Sequence, residues 1–266
     1  KVKDVIERIG HQNPDLVKPA LGPKEPWAYR NKMQMPVGGT KGDIQMGFYA
    51  MGSHDIVQGT NCPIQDEGNN IIAQACYQIA KEFDIEPYDE HTGKGILRHV
   101  IGRIGQSGWM IILVTATEQL PYKEKWVEKL TQRIPQVETI VHNVNGKRTN
   151  VILGPKNNIL YGDGTITDHI KDLQFTLSPH SFFQVNPEQT TVLYDQALTY
   201  ADLKGDETVI DAYCGTGTIS LFLAHKAKHV IGIEIVEPAI INARENAQRN
   251  GYDNTEFIVA DAAVEM

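Results

Sequence analysis

The stretch that most constrains this chain runs from Thr208 to Ser220, T-V-I-D-A-Y-C-G-T-G-T-I-S. Apolar and β-branched residues lead into Asp211, a glycine-rich turn follows, and a helical pattern begins with Ile219, Leu221, Phe222 and Ala224. That order predicts a strand, a tight loop and a helix N-terminus, which together set backbone N–H groups and a positive helix end beside a ligand. A second predicted strand, His229 to Glu234, follows one helix later and also ends in an acid. Glu234 is placed there to accept hydrogen bonds from both hydroxyls of a ribose. The plain alternative is a nucleotide-free α/β unit with a capped helix. Acids at two successive strand ends weigh against it.

Two cofactors compete for this pattern. A dinucleotide fingerprint, G-x-G-x-x-G, needs a third glycine where the chain has Ser220. The other reading is an S-adenosylmethionine (SAM) site, in which an acid ends the strand and the loop passes beneath the methionine end. Asp211 stands where that second reading requires it.

From Asn186 onward the pattern is βα throughout. A helix opens with Asn186 as N-cap and Pro187 at its first position. Strand 208–211, helix 218–226, strand 229–234, helix 238–250 and strand 255–260 follow, which indicates a parallel sheet with right-handed crossovers. Before residue 180 the signals differ. Residues 1–10 read as amphipathic helix, 11–26 as a Pro- and Gly-rich linker, and 27–35 as a strand turning at 38–43 into a second strand. Helices are expected at 68–83 and 123–134, a hairpin pair at 97–116, a strand at 139–145 and short strands over 146–180. The fold class is therefore α/β, a Rossmann-like parallel sheet represented by its first three strands, joined to an α+β antiparallel central domain. The expected divisions are 1–24, packing on the C-terminal unit, 25–180, and 181–266.

A net charge of −8 removes any bulk attraction to nucleic acid, so an RNA contact would need a local basic patch. Three scattered cysteines, Cys62, Cys76 and Cys214, suggest a reducing compartment and a cytoplasmic location. No apolar run is long enough for a membrane span. Val209 and Ile210 would lie on an open sheet edge if only three strands existed, so a chain truncated at both ends is expected.

The string Ser181-Phe182-Phe183-Gln184-Val185-Asn186, the loop from Asp211 to Thr218 and the Gly232-Ile233-Glu234 strand end resemble the uracil-5 RNA methyltransferase family. Tyr29 to Lys32, and Ser53 to Val57 followed by Cys62-Pro63, extend the resemblance over the central region. The likeness is strongest to bacterial enzymes that methylate uridines of large-subunit ribosomal RNA. It implies a SAM cofactor, leaving as S-adenosylhomocysteine, held by Gln184, Asp211, Tyr213, Gly215, Gly217, Thr218, Glu234 and Asp261. It also implies RNA contacts from Arg30, Lys32, Arg98, Arg103, Lys147 and Arg148, and a monomeric enzyme when intact.

In that family a cysteine thiolate adds to uracil carbon-6, carbon-5 takes the methyl group, and a general base removes the carbon-5 proton. The nucleophile's Asp-Pro-Pro-Arg-x-Gly-Cys motif is not in this sequence. The nucleophile and base are expected beyond Met266, no catalytic residue is assigned here, and this chain is expected to be inactive. Cys214, in the cofactor loop, is expected to pack as a small apolar group. Cys62 resembles the fourth ligand of an iron–sulfur cluster in some members, relevant only to an intact parent. The remaining alternatives are the same reaction on transfer RNA, a non-catalytic RNA-binding protein and a nicotinamide-dependent oxidoreductase.

Overall fold

In the computed structural model, which describes residues 1–265, the central unit is one large sheet. Its strands are β1 (Lys32–Thr40), β2 (Asp43–Tyr49), β3 (Ile56–Gln58), β4 (Leu97–Ile104), β5 (Trp109–Thr115), β6 (Val137–Val144) and β7 (Lys156–Tyr161). They lie in the order β3-β2-β1-β4-β5-β6-β7. Helices α2 (Glu67–Glu82) and α3 (Lys123–Arg133) cover one face. There Met33, Met35 and Met46 pack with Ile72, Cys76, Ile79, Trp126 and Leu130, all fully buried. Asp66 starts α2 by accepting from the Gly68 N–H at 2.8 Å, which satisfies one of the orphan donors at a helix start.

Three expectations change. The central sheet is mixed, not antiparallel, because β5 and β6 run parallel. Their connection contains α3, and a parallel pair needs such a crossover. Pairing in β1 extends through Thr40, since Gly38 and Gly39 face Gln45 and Ile44 of β2, and the turn shrinks to Lys41 and Gly42. Gly39 has φ +89°, and a Cβ there would stand 2.3 Å from the Asp43 carbonyl oxygen, so the strand keeps going only because the residue is glycine. Finally, the hairpin β8 (Ile166–Ile170) and β9 (Leu173–Leu177) packs toward the C-terminal unit.

That unit comprises α4 (Pro187–Ala201), β10 (Thr208–Asp211), α5 (Thr218–Ala224), β11 (His229–Glu234), α6 (Glu237–Arg249) and β12 (Thr255–Val259). Its strands are parallel in the order β10-β11-β12. Ile101, Met110, Ile112 and Val141, on the second face of the large sheet, share an apolar cluster with Phe175, Phe183, Tyr194, Leu221, Phe222, Ile240 and Phe257. One core thus fixes the glycine loop relative to the central sheet.

Side chains of α6 complete the join. Asn250 accepts from the Gln174 N–H at 2.8 Å and donates to its carbonyl at 2.7 Å. Asn246 accepts from the Thr176 N–H at 3.3 Å. These amides satisfy the free edge of β9, which would otherwise present unpaired backbone groups. At the start of the chain, helix α1 (Val2–Arg8) has no buried residue. The segment after it reaches α4, where Leu16, Pro19 and Leu21 form a groove with Val192, Leu193 and Tyr200. Among the described residues no helix is long and apolar enough to cross a membrane.

Candidate functional site

The ends of β10 and β11 bring the two acids together. Asp211 pairs with Gly232 across the ladder, and Glu234 lies two residues further along β11. Burial pushes the Asp211 carboxyl up; hydrogen bonds from Ser220 and the Tyr213 backbone pull it back, and the charge of Glu234 raises it again. Ser220 Oγ donates to Asp211 Oδ2 at 2.6 Å. Ser220, where a dinucleotide fingerprint would have glycine, is fully buried and pins that acid instead.

Glu234 closes the loop. Its Oε2 accepts from the Gly215 N–H at 3.3 Å and its Oε1 from the Val236 N–H at 3.0 Å. A carboxylate has about four acceptor sites, so each oxygen retains capacity for a ligand hydroxyl. Gly215 has φ +54° with open space where a Cβ would stand, leaving the loop backbone accessible. Gly217 has φ +80° and a tight fit, its Cβ position 3.1 Å from Ala243 and Phe257. Tyr213 is 77% exposed, and neighbouring Ile235 and Val236 are exposed too, giving apolar surface beside two carboxylates. An open glycine cradle, a carboxylate with spare acceptor sites and an exposed apolar shelf fit an adenosine-bearing cofactor.

The other expected residues are less open. Thr218 Oγ1 lies 3.0 Å from the buried Tyr194 hydroxyl, which ties α5 to α4. Asp261 is exposed and its Oδ1 accepts from the Ala263 N–H at 2.9 Å, as a helix cap does. The Cys214 thiol is buried and pushed up to about 12, by burial first and then by Asp211 and Glu234. It is a packing group, not a thiolate. Asn246 escaped the sequence reading: fully buried on α6, it donates to the Thr216 carbonyl at 3.1 Å and so grips the loop from behind.

Gln184 lies half-buried on a strap over residues 178–186 that the central sheet holds. Arg103 Nη2 donates to the Ser181 carbonyl at 2.5 Å and the Pro179 carbonyl at 3.3 Å. The Asn31 N–H donates to the Val185 carbonyl at 3.0 Å. Phe183 is buried against Phe175, whereas Phe182 is 71% exposed next to Gln184. Asn186 caps α4 by accepting from the Gln189 N–H at 3.0 Å.

The basic residues divide. Arg98 and Arg103 were expected on an RNA-facing surface, but each is only 3% exposed. Arg98 Nη1 donates to the carbonyls of Asn145 at 2.5 Å and Lys147 at 2.8 Å. Both guanidiniums point inward because helices cover one face of β4 and the second apolar cluster the other, so alternation gives neither residue a solvent side. Arg30 and Lys32 lie half-buried beside the strap. Burial lowers the Lys32 ammonium to about 8, with Arg103 and Arg30 adding to the effect. Lys147 and Arg148 are exposed on the loop after β6, and Arg148 donates to the Thr92 carbonyl. Cys62 is half-exposed, and among the described residues no group of three or more His, Cys, Asp or Glu side chains is placed to hold a metal ion.

Comparison with known proteins extends these observations. Residues 203–265 match the methyltransferase domain family. An uncharacterized RNA methyltransferase of Halalkalibacterium halodurans is 51% identical over 264 residues, 98% of this chain and 58% of that protein. A second, from Bacillus cereus, is 50% identical over 99% of this chain and again 58% of its own length. The chain thus spans a little over half the length of the curated relatives it matches. Among solved structures, a Pyrococcus abyssi tRNA (uracil-54, C5)-methyltransferase in complex with S-adenosyl-L-homocysteine superposes with a TM-score of 0.74. It is 24% identical, covering 89% of this chain and 56% of that one, and the likeness shows that the two share a fold.

Proposed function

We propose that this chain, a homologue along nearly its whole length of those RNA methyltransferases, forms the cofactor-holding and RNA-gripping part of a SAM-dependent uridine carbon-5 methyltransferase acting on large-subunit ribosomal RNA. The observation that carries the cofactor assignment is the paired ends of β10 and β11, where Glu234 shares its carboxylate between the Gly215 and Val236 N–H groups and faces an open glycine loop. The assignment of uridine rests on the Ser181 to Asn186 string and its resemblance to the uracil-5 family.

SAM, when bound, supplies an electrophilic methyl group on sulfur. Glu234 takes the ribose hydroxyls, and Ile235 and Val236 offer an apolar bed for the base. Asp211, held by Ser220, fixes the turn at Tyr213 from which the loop leaves the strand. Gln184 faces the methionine end from the strap, with Arg103 and Asn31 setting its height. The exposed ring of Phe182 offers a stacking face to an extruded pyrimidine. Arg30 and Lys32, close to the strap and sharing no ion pair among the described residues, attract the phosphates of that nucleotide. Cys214 takes no part, being a buried thiol whose proton two nearby carboxylates help retain.

The test is methyl transfer. A purified methyltransferase that contains these 266 residues together with the nucleophile and the base is incubated with methyl-labelled SAM and with ribosomal and transfer RNA from cells lacking its gene. Labelled 5-methyluridine in the large-subunit RNA alone is the expected product. Label in transfer RNA would move the substrate, and label on another base would overturn the uridine assignment.

A further inference from the structure

We propose that the central sheet carries a second nucleotide site, a small cavity that takes one unpaired guanine base of the RNA. The inference rests on the RNA-methyltransferase reading and adds a contact remote from the glycine loop. The cavity has a volume of about 200 Å³, below the roughly 300–1,000 Å³ of pockets for drug-sized ligands. It opens where β2 and the loop before β3 meet β4 and the segment preceding β4. Tyr49, His54, Tyr88, Glu90, Arg98 and His99 form its working walls.

Glu90 sets the chemistry. Its Oε1 accepts from the Tyr49 hydroxyl at 3.2 Å, and its Oε2 lies 2.5 Å from His54 Nδ1. Burial alone would raise this carboxyl, yet the hydrogen bonds and charge of His54 and the Tyr49 hydroxyl hold it below its ordinary range. The group is therefore an anion, and His54 is the donor. The Tyr49 and His54 rings stack at 4.9 Å between centroids with 20° between their planes, so both donors are held in one orientation. Two acceptor sites of the carboxylate are thereby used, and one remains on each oxygen. Guanine is the base whose pairing edge presents two adjacent N–H donors; adenine, cytosine and uracil each set a donor beside an acceptor.

The floor complements such a base. His99 is 6% exposed, and its Nδ1 is buried without a hydrogen-bond partner. The ring stays neutral, because burial and the neighbouring Arg98 lower it to about 4, so it can meet a carbonyl oxygen or ring nitrogen without adding charge. The Arg98 guanidinium lies 4.4 Å over the Tyr88 ring and has no carboxylate ion-pair partner among the described residues. Asp89 at the rim does not compete for the ligand. Its carboxylate already accepts from the His91 N–H and the Thr92 hydroxyl, both at 2.8 Å. A neighbouring cavity of about 210 Å³ shares Tyr88, Glu90 and Arg98 and is bounded by Arg148, where the phosphate of the same nucleotide would find a cation.

The experiment uses fluorescein-labelled nine-residue RNAs and the 266-residue chain. One probe is all uridine and the other carries a single central guanosine. The guanosine probe is expected to bind about tenfold more tightly, in line with one well-placed pairing edge. Glu90→Gln should abolish that preference, because an amide offers one donor and one acceptor, while leaving S-adenosylhomocysteine binding and the melting temperature unchanged. Arg148→Ala should weaken both probes equally and leave the preference intact. Equal binding of the two probes by the unaltered chain, or an unchanged preference in Glu90→Gln, overturns the site. A chain that binds S-adenosylhomocysteine but shows no guanosine preference loses this proposal and keeps the methyltransferase reading.

Discussion

Replacing Asn246 with leucine tests how the cofactor loop is held. The side chain is fully buried and makes two hydrogen bonds, to the Thr216 carbonyl at 3.1 Å and from the Thr176 N–H at 3.3 Å. Leucine keeps most of the volume, so no large cavity opens. What changes is that one carbonyl and one N–H lose their partner. Leaving a buried polar group unsatisfied costs about 1–3 kcal/mol. The second bond is long and counts at the low end, so the expected loss is about 2–4 kcal/mol, a large share of the roughly 5–15 kcal/mol that holds an ordinary fold together. Urea unfolding followed by circular dichroism measures it. Because Thr216 lies inside the glycine loop, S-adenosylhomocysteine affinity measured by calorimetry should fall severalfold as well. A loss below about 1 kcal/mol with unaltered affinity would refute the claim that Asn246 braces the loop.

Further outcomes follow from the same contacts. Gly232→Ala on β11 would place a Cβ 2.6 Å from the Phe257 ring and 2.9 Å from Cys214 Sγ, so overpacking should cost about 1–3 kcal/mol in the same unfolding assay. His99 carries a pH dependence. Its folded value near 4 lies below the unfolded 6.5, so its contribution is intact above pH 6.5 and is lost as pH falls toward 4, by about 3 kcal/mol in all. His99→Gln should flatten the stability profile across that window, and an unchanged profile would assign the dependence elsewhere. Lys32, lowered to about 8, should give RNA affinity that declines as pH rises through 8; Lys32→Met should bind RNA more weakly below that pH and lose the decline. Filter binding at fixed salt measures both.

The cofactor half of the molecule was legible because its signals are local. Strands Thr208–Asp211 and His229–Glu234 are short apolar runs ended by acids, and their bounds in the structure are the ones their residues predict. Gly217 needs φ +80°, which a glycine-rich turn announces. The braces were not legible. Asn246 and Asn250 read as ordinary helix residues, since their partners in β9 lie 70 and 76 positions away. Nor could Arg98 and Arg103 be seen as inward. Their strand alternates only if one face meets water, and β4 is covered on both. The direction of β6 was hidden for a related reason, because a helix between two strands permits a parallel pair as readily as it follows one. Burial of a charge is decided by which layers stack, and that is not written in any short stretch.

The most direct test of the central claim is calorimetric titration of the chain with S-adenosylhomocysteine and, separately, with NADH. The account predicts binding of the first and none of the second. Glu234→Ala should weaken it by about 1–3 kcal/mol, because ribose hydroxyls lose a charged acceptor. NADH binding, or S-adenosylhomocysteine affinity indifferent to Glu234, would contradict it.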